Sequence, residues 1–462
     1  MKIYREGVFS LLMLTISSCG GGQAASPPYE PSPPISNPPP SPQPTPANAS
    51  IIIGAQVDPA EAARFCPQIR ADNNEATSLW VRWGEIPRPN GRYDWTQLDE
   101  KIEAYRSCGL EVALHVQSRL GQKRDYDPSQ LDVPGYLQFL DELVSRYRNR
   151  VSRYSVENEA VLKTSWDGEP DLYFALLDAA YAVIKAADPD ALVLESGIPS
   201  GSLGYLMVDD LYRAGRLDEA LALADRVRAN IFGAVESPPE PMTQADLARM
   251  STSPDLARKR RWIELLRQHQ NSFDVLQIHF YGDWEILPGT MRWVKALGIS
   301  KPIEVWELSK RRPSNHADDQ RVADDLVKLI AIAAGEGSQF SLFFNYVDWQ
   351  APGGFFPGML RNSGTPRAPI QSAFRVLTEH ITDAVRATPL DLAPGVWGYT
   401  FIGARPSQTV HVLWSSQPTT VSLTTGAGAQ ARLMRMDGSE TLVDRRSIPV
   451  SSAPIILGQA SG

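Results

Sequence analysis

Three cysteines in a chain of 462 residues are too few for a disulfide framework. Cys66 and Cys108 fall in two successive helical segments, where they can pair in an oxidising compartment or stay as two small buried thiols. No Cys-x-x-Cys or His-Glu-x-x-His spacing occurs and the six histidines are scattered, so no metal site and no cofactor is expected. Basic charge is short as well: 45 Lys and Arg stand against 53 Asp and Glu, a net charge of −8. Such a chain has no field to attract a phosphate backbone, which argues against nucleic acid as a partner. Its one basic run, Arg258-Lys259-Arg260-Arg261, lies in a helical stretch and reads as a solvated face. No apolar run long enough to span a bilayer follows the N-terminus.

What is present is globular: 43% hydrophobic and 21% charged residues. Proline is abundant at 37, and eleven of these lie between Pro27 and Pro46. That tract, with Gly20-Gly21-Gly22 before it, cannot bury a core. It favours an extended polyproline form of about 3.1 Å per residue, so twenty residues reach roughly 60 Å. Ahead of it stand Lys2 and Arg5, then an apolar stretch from Val8 to Ile16 that is too short to span. Ile16-Ser17-Ser18-Cys19 resembles the bacterial lipoprotein box. The resemblance implies cleavage before Cys19, acylation of Cys19, and anchoring to the lipid bilayer of the cell envelope, with Gly20 favouring the outer membrane. The expected organisation is a lipoprotein signal peptide over 1–19, a proline-rich linker over 20–49, a catalytic body over 50–383 and a β domain over 384–462.

From Ile51 the pattern alternates. Ile51–Ala55, Ser78–Trp83, Val112–Val116, Val151–Val156, Leu192–Leu194, Val275–Phe280, Ile303–Trp306 and Phe340–Phe344 read as strands, most of them short runs rich in Val and Ile. Helical segments lie between them, including Trp95–Cys108 closed by Gly109, and a long helical stretch from Leu203 to Gln270 broken at Ser237–Pro241. Eight strands alternating with eight helices predict an α/β fold, a (β/α)8 TIM barrel. After Ala384, period-two segments such as Trp397–Phe401, Val410–Trp414 and Ala431–Met434 predict a small C-terminal antiparallel β-sandwich.

Active sites of such barrels gather at the C-terminal strand ends. Strand four ends Ser155-Val156-Glu157-Asn158-Glu159 and strand seven ends Val305-Trp306-Glu307. Asn-Glu closing strand four with Glu closing strand seven resembles the signature of glycoside hydrolase clan A. Further strand ends agree: Arg82 on strand two, Gln277-Ile278-His279-Phe280-Tyr281 on strand six, and Trp349 after strand eight. Arg82-Trp83-Gly84-Glu85-Ile86, Gly91-Arg92-Tyr93-Asp94-Trp95, Leu98-Asp99 and the closing Ser452-Ala453-Pro454-Ile455-Ile456 are similar to glycoside hydrolase family 39, over about Ile51 to Leu457. Glu157 and Ala160 depart from the clan, which often has an aromatic residue and a proline there. Strand alternation is taken to turn Glu157 to the other face.

The resemblance implies a retaining hydrolase of oligo- or polysaccharides. It makes Glu159 the acid/base and Glu307 the nucleophile, held ionised by Arg82 and a hydrogen bond from Tyr281. Asn158 would hold the sugar 2-hydroxyl, His279 would tune the acid or contact sugar, and Trp349 would offer a flat apolar face. His115 can line a subsite or pack in the core. Trp83, Glu85, Trp166 and Trp284 can be sugar subsites or packing residues. Two alternatives stand beside this reading: a non-catalytic glycan-binding surface lipoprotein, and an endo-acting member resembling cellulases or mannanases. Specificity is expected in Gly121–Asp132, Trp284–Thr290 and Gln350–Gly358, with the insertion Gly201–Arg249 walling one side.

Overall fold

The computed structural model describes residues 50–118, 128–232, 240–313, 318–351, 354–403, 409–423 and 429–459. Cys19, the proline tract, most of the Gly121–Asp132 loop and two residues of the Gln350–Gly358 loop lie outside them.

Four parallel strands pair in chain order: Ala76–Arg82, Glu111–Gln117, Arg153–Val156 and Leu192–Leu194. Five more parallel strands pair in the spatial order Ile52–Ala55, Ser338–Phe343, Ile303–Ser309, Leu276–Tyr281 and the two-residue Ile198–Pro199. The two sheets meet at both edges. At one edge Glu75 N donates to Ile53 O at 3.2 Å, and at the other Leu194 bridges Val275 in parallel. This mixed α/β architecture is consistent with an eight-stranded barrel.

The helices start where local chemistry favours a start. Asp58 accepts from Ala60 N ahead of Pro59–Ala71, and Ser253 accepts from Leu256 N ahead of Pro254–Gln268, each with proline at the first helical position. The structure pairs Cys66 with Cys108, Cα atoms 5.3 Å apart, and so ties the first helix to the end of Thr96–Ser107.

After the fifth strand, Ser200–Arg213, Leu217–Phe232 and Gln244–Ser251 form a helical insertion around a small core of Val208, Ala220, Ala224 and Leu247. Pro254–Gln268 packs against the insertion, and this corrects the reading of the basic run as a solvated face. Arg260 pairs with Asp209 and Asp210, Arg261 pairs with Asp171, and Lys259 is buried against Asp255. Arg258 turns into the body of the protein. Neighbouring elements enclose the helix on more than one side, which residue types alone do not reveal.

The C-terminal region holds a six-stranded antiparallel sheet and a two-stranded ribbon, Thr419–Val421 with Ile448–Val450. In the larger sheet the order is Arg386–Pro389, Val396–Ile402, Thr409–Ser415, Ile455–Gln459, Gln430–Arg435, Glu440–Asp444. Alternation sorts its side chains between two cores. Leu413, Leu433, Ile455 and Leu457 join Val421, Ile448 and Val450 in one. Tyr399, Phe401, Val412, Trp414, Met434 and Ile456 join the core of the parallel sheets. Helix Asp319–Gly335 forms the seam, and a Cβ on Gly335 would lie 1.9 Å from the Tyr399 ring.

Candidate active site

The Ile303–Ser309 strand carries a bulge. Ile278 pairs with Val305, and the next residue, His279, pairs with Glu307, so Trp306 is the extra residue. Without it, alternation would turn Glu307 away from Glu304 and Trp306. With it, Trp306 fills the interior beside Phe340 and Leu342 while Glu307 still faces His279.

The fourth strand reaches the site differently. It ends at Val156, and Glu157 and Glu159 then adopt positive φ of 68° and 49°. Left-handed backbone costs a residue with a Cβ roughly 1–2 kcal/mol, so the surroundings must enforce it. Glu157 N donates to Val116 O at 3.0 Å and Glu159 N to Ser196 O at 2.6 Å. Glu157 turns to Ser118 N, which donates to its Oε1 at 2.8 Å. It therefore leaves the Glu159 side as expected, but not by strand alternation, since residues two apart share a face. The left-handed turn separates them.

Glu159, His279 and Glu307 converge, with one carboxylate oxygen of each glutamate and one ring nitrogen all within 4.8 Å of one another. His279 Nδ1 faces Glu159 Oε1 at 2.9 Å and Glu307 Oε2 at 3.7 Å. Tyr281 donates its hydroxyl to Glu307 Oε2. Burial pushes the Glu307 carboxyl above its ordinary range and Glu159 adds to the rise, while His279 and the Tyr281 hydrogen bond oppose it. Burial alone would lower His279, yet the carboxyls of Glu307, Glu159 and Glu195 outweigh it and raise the ring. The other ring nitrogen meets the Gln277 amide at 2.7 Å, and Gln277 Oε1 has no hydrogen-bond partner among the described residues. Turning that amide presents the oxygen to a second ring proton, so the pocket suits both the neutral ring and the imidazolium.

Beside Glu159, Asn158 Oδ1 is buried without a hydrogen-bond partner among the described residues. Trp349 is half-buried and meets Phe344 and Phe356 at ring distances of 5.2 and 5.7 Å, next to Tyr281. Asn158 is thus the chain neighbour of Glu159, and Trp349 is linked to Glu307 through the rings that pack around Tyr281.

Other expectations are corrected. Arg82 does not pair with Glu307: its guanidinium donates to Gln117 Oε1 at 3.0 Å and Glu85 Oε1 at 2.9 Å. His115 is fully buried, stacked on Trp80 at 5.0 Å and edge-on to Trp306 at 4.9 Å, so it packs beneath the site and does not line a subsite. Burial holds its ring well below the ordinary histidine range. Trp83, Trp166 and Trp284 are packing residues. Trp83 donates to Tyr93, Trp166 stands edge-on to Tyr173, and Trp284 sits edge-on to Trp397 and Trp414 at the C-terminal sheet.

Glu195 was not anticipated. It follows Leu192–Leu194 directly, so a search of all strand ends for carboxyls would have found it. Fully buried, it accepts from Gln277 N and Gly197 N at 3.0 Å each, and burial raises its pKa to about 8. Gly197 has φ of 81°, and a Cβ there would stand 2.5 Å from His279 Nε2. Only glycine leaves room for the ring.

Two carboxyls this close, one bonded to histidine and one to tyrosine, can donate a proton and attack an electrophilic carbon on the same bound molecule. No family profile and no curated protein sequence matches the chain. Solved structures do match in fold. A family 39 glycoside hydrolase from Bacteroides cellulosilyticus superposes with TM-score 0.60 at 15% identity over 90% of this chain and 82% of that one. A family 39 β-xylosidase from Caulobacter crescentus gives 0.54 at 14% identity, over 90% and 97% of the two chains. A family 30 xylanase from Clostridium acetobutylicum gives 0.54 at 10%, over 89% and 97%. The chain therefore shares its fold with clan A glycoside hydrolases and is similar in this respect to family 39.

Proposed function

We propose that the protein is a retaining glycoside hydrolase. The observation that carries this reading is the separation of Glu159 and Glu307, whose nearest oxygens lie within 4.8 Å. Retaining enzymes hold their carboxyls about 5–5.5 Å apart, whereas inverting enzymes leave about 6.5–9.5 Å for a water. A Glu307 oxygen attacks the anomeric carbon as the glycosidic C–O bond breaks, and the departing oxygen takes the proton of Glu159. Water then gives a proton to Glu159, attacks the same carbon and displaces Glu307. Tyr281 steadies the negative charge of Glu307, and His279 orients Glu159. Asn158 Oδ1 is suited to accept the sugar 2-hydroxyl, and Trp349 to lie under a pyranose face.

In the same reading the two parallel sheets are one closed (β/α)8 barrel over 50–383. The C-terminal sheet and ribbon form a sandwich over 384–462. The N-terminal 49 residues tether the enzyme through acylated Cys19 to the bacterial envelope. The substrate is an oligo- or polysaccharide, in keeping with the fold neighbours. A panel of aryl glycosides tests the activity, and a 2-fluoro-sugar followed by peptide mapping tests the site. The expected adduct is on Glu307. An adduct elsewhere overturns the assignment, and glycan binding without any cleavage favours a non-catalytic binder.

A further inference from the structure

Arg258 stands on Pro254–Gln268, outside the group of residues around the two glutamates, yet its side chain reaches the turn that follows Glu159. Nε donates to Val161 O at 3.1 Å and Nη1 to Gly168 O at 2.7 Å. Nη2 donates to Ala160 O at 3.3 Å and Trp166 O at 2.9 Å. One planar guanidinium thus takes four main-chain carbonyls of the segment 160–168, and no carboxylate pairs with it among the described residues. The first of those carbonyls belongs to the residue after Glu159.

The segment needs such a clamp. Beyond the left-handed Glu159 its main-chain bonds include short turn bonds, Leu162 N to Glu159 O at 2.8 Å and Ser165 N and Trp166 N to Leu162 O at 3.0 Å each. Ser196 holds it from inside, through Glu159 N and through Ala160 N to Oγ at 3.1 Å. From the outside, Arg258 gathers carbonyls that are eight residues apart. A lysine donates from a single nitrogen and cannot span them.

We propose that Arg258 is a positioning residue for Glu159, so that the helix following the insertion sets the aim of the proton donor. This rests on the reading of Glu159 as the acid. The test is Arg258→Lys in the full chain, with kcat/KM measured on aryl glycosides of poor and of activated leaving groups. A misaimed acid matters only where the departing oxygen needs its proton. The expected result is a fall of about 10- to 100-fold on phenyl glycosides with little change on 2,4-dinitrophenyl glycosides. Arg258→Gln reads the same ratio if the lysine variant does not fold. Arg261→Ala, on the same helix but paired with Asp171, should leave the ratio at the wild-type value. Equal losses on both substrates, or an equal change in Arg261→Ala, overturn the proposal. A wild type that cleaves no glycoside overturns instead the functional reading beneath it.

Discussion

The two glutamates reach the same small space from opposite kinds of backbone. Glu307 belongs to a seven-residue strand, hydrogen-bonded on both sides and 1% exposed. Glu159 follows a four-residue strand on a left-handed turn, held by Ser196 within and Arg258 without. A bulge suffices to aim the first, because the sheet ladder supplies the rigidity. The second leaves the ladder, and side chains must replace it. On the proposed mechanism this division is sensible. The attacking group needs one fixed trajectory, while the proton donor must serve a leaving oxygen and then a water.

The comparison can be broken at its strongest point first. Glu307→Ala should lower turnover on every aryl glycoside by on the order of 10⁴-fold or more, whatever the leaving group. Glu159→Ala should cost roughly 10²- to 10⁴-fold on phenyl glycosides but spare the first step on activated ones, with azide restoring turnover. Identical losses in the two variants would erase the distinction between attacker and donor. Gly197→Ala tests the link between the two sides, because its methyl would displace the His279 ring that touches both. A fall of about 10²-fold in kcat/KM is expected, with a loss of about 1–3 kcal/mol in denaturant unfolding. Unchanged kinetics would show that the ring position is immaterial.

The smallest effect concerns Glu195, where the four-stranded sheet meets Gln277 of the five-stranded one. Burial raises its folded pKa to about 8, above the ordinary glutamate value of about 4.5. The native state therefore holds a proton that the unfolded chain has released. The stabilising contribution is complete below about pH 4.5 and is lost as pH rises toward about 8, at up to roughly 1.4 kcal/mol per pH unit. Urea melts at pH 5.5 and 7.5 should show a smaller difference in Glu195→Gln than in the wild type. A parallel slope in the two proteins would mean that Glu195 is ionised throughout.

Much of this is legible in the sequence. Apolar runs mark the strands, and the carboxyls at two strand ends mark the candidate site, since Glu159 and Glu307 do converge. Geometry that has no residue-type signature was not legible. An extra residue in a strand looks like any other, and nothing in Val305-Trp306-Glu307 announces a bulge. Glu157 and Glu159 are poor candidates for positive φ, so the turn that parts them could not be anticipated. Arg82 and Arg258 show the same limit from two directions. One was expected beside Glu307 and is held by its neighbour Glu85; the other was expected in water and grips the turn after Glu159. Side-chain partners are decided by which elements pack together, and a linear pattern carries that information only weakly.

The seam at Gly335 has a consequence for how the chain can be cut. The sequence pattern changes near Ala384, but the apolar packing runs straight across that point. A truncation there would strip Tyr399 and its neighbours from helix Asp319–Gly335, the element joining the strand of Glu307 to the next. The C-terminal sheet is thus not a detachable accessory that could be exchanged between enzymes. In packing terms it is an outer wall of the same room that holds Glu307.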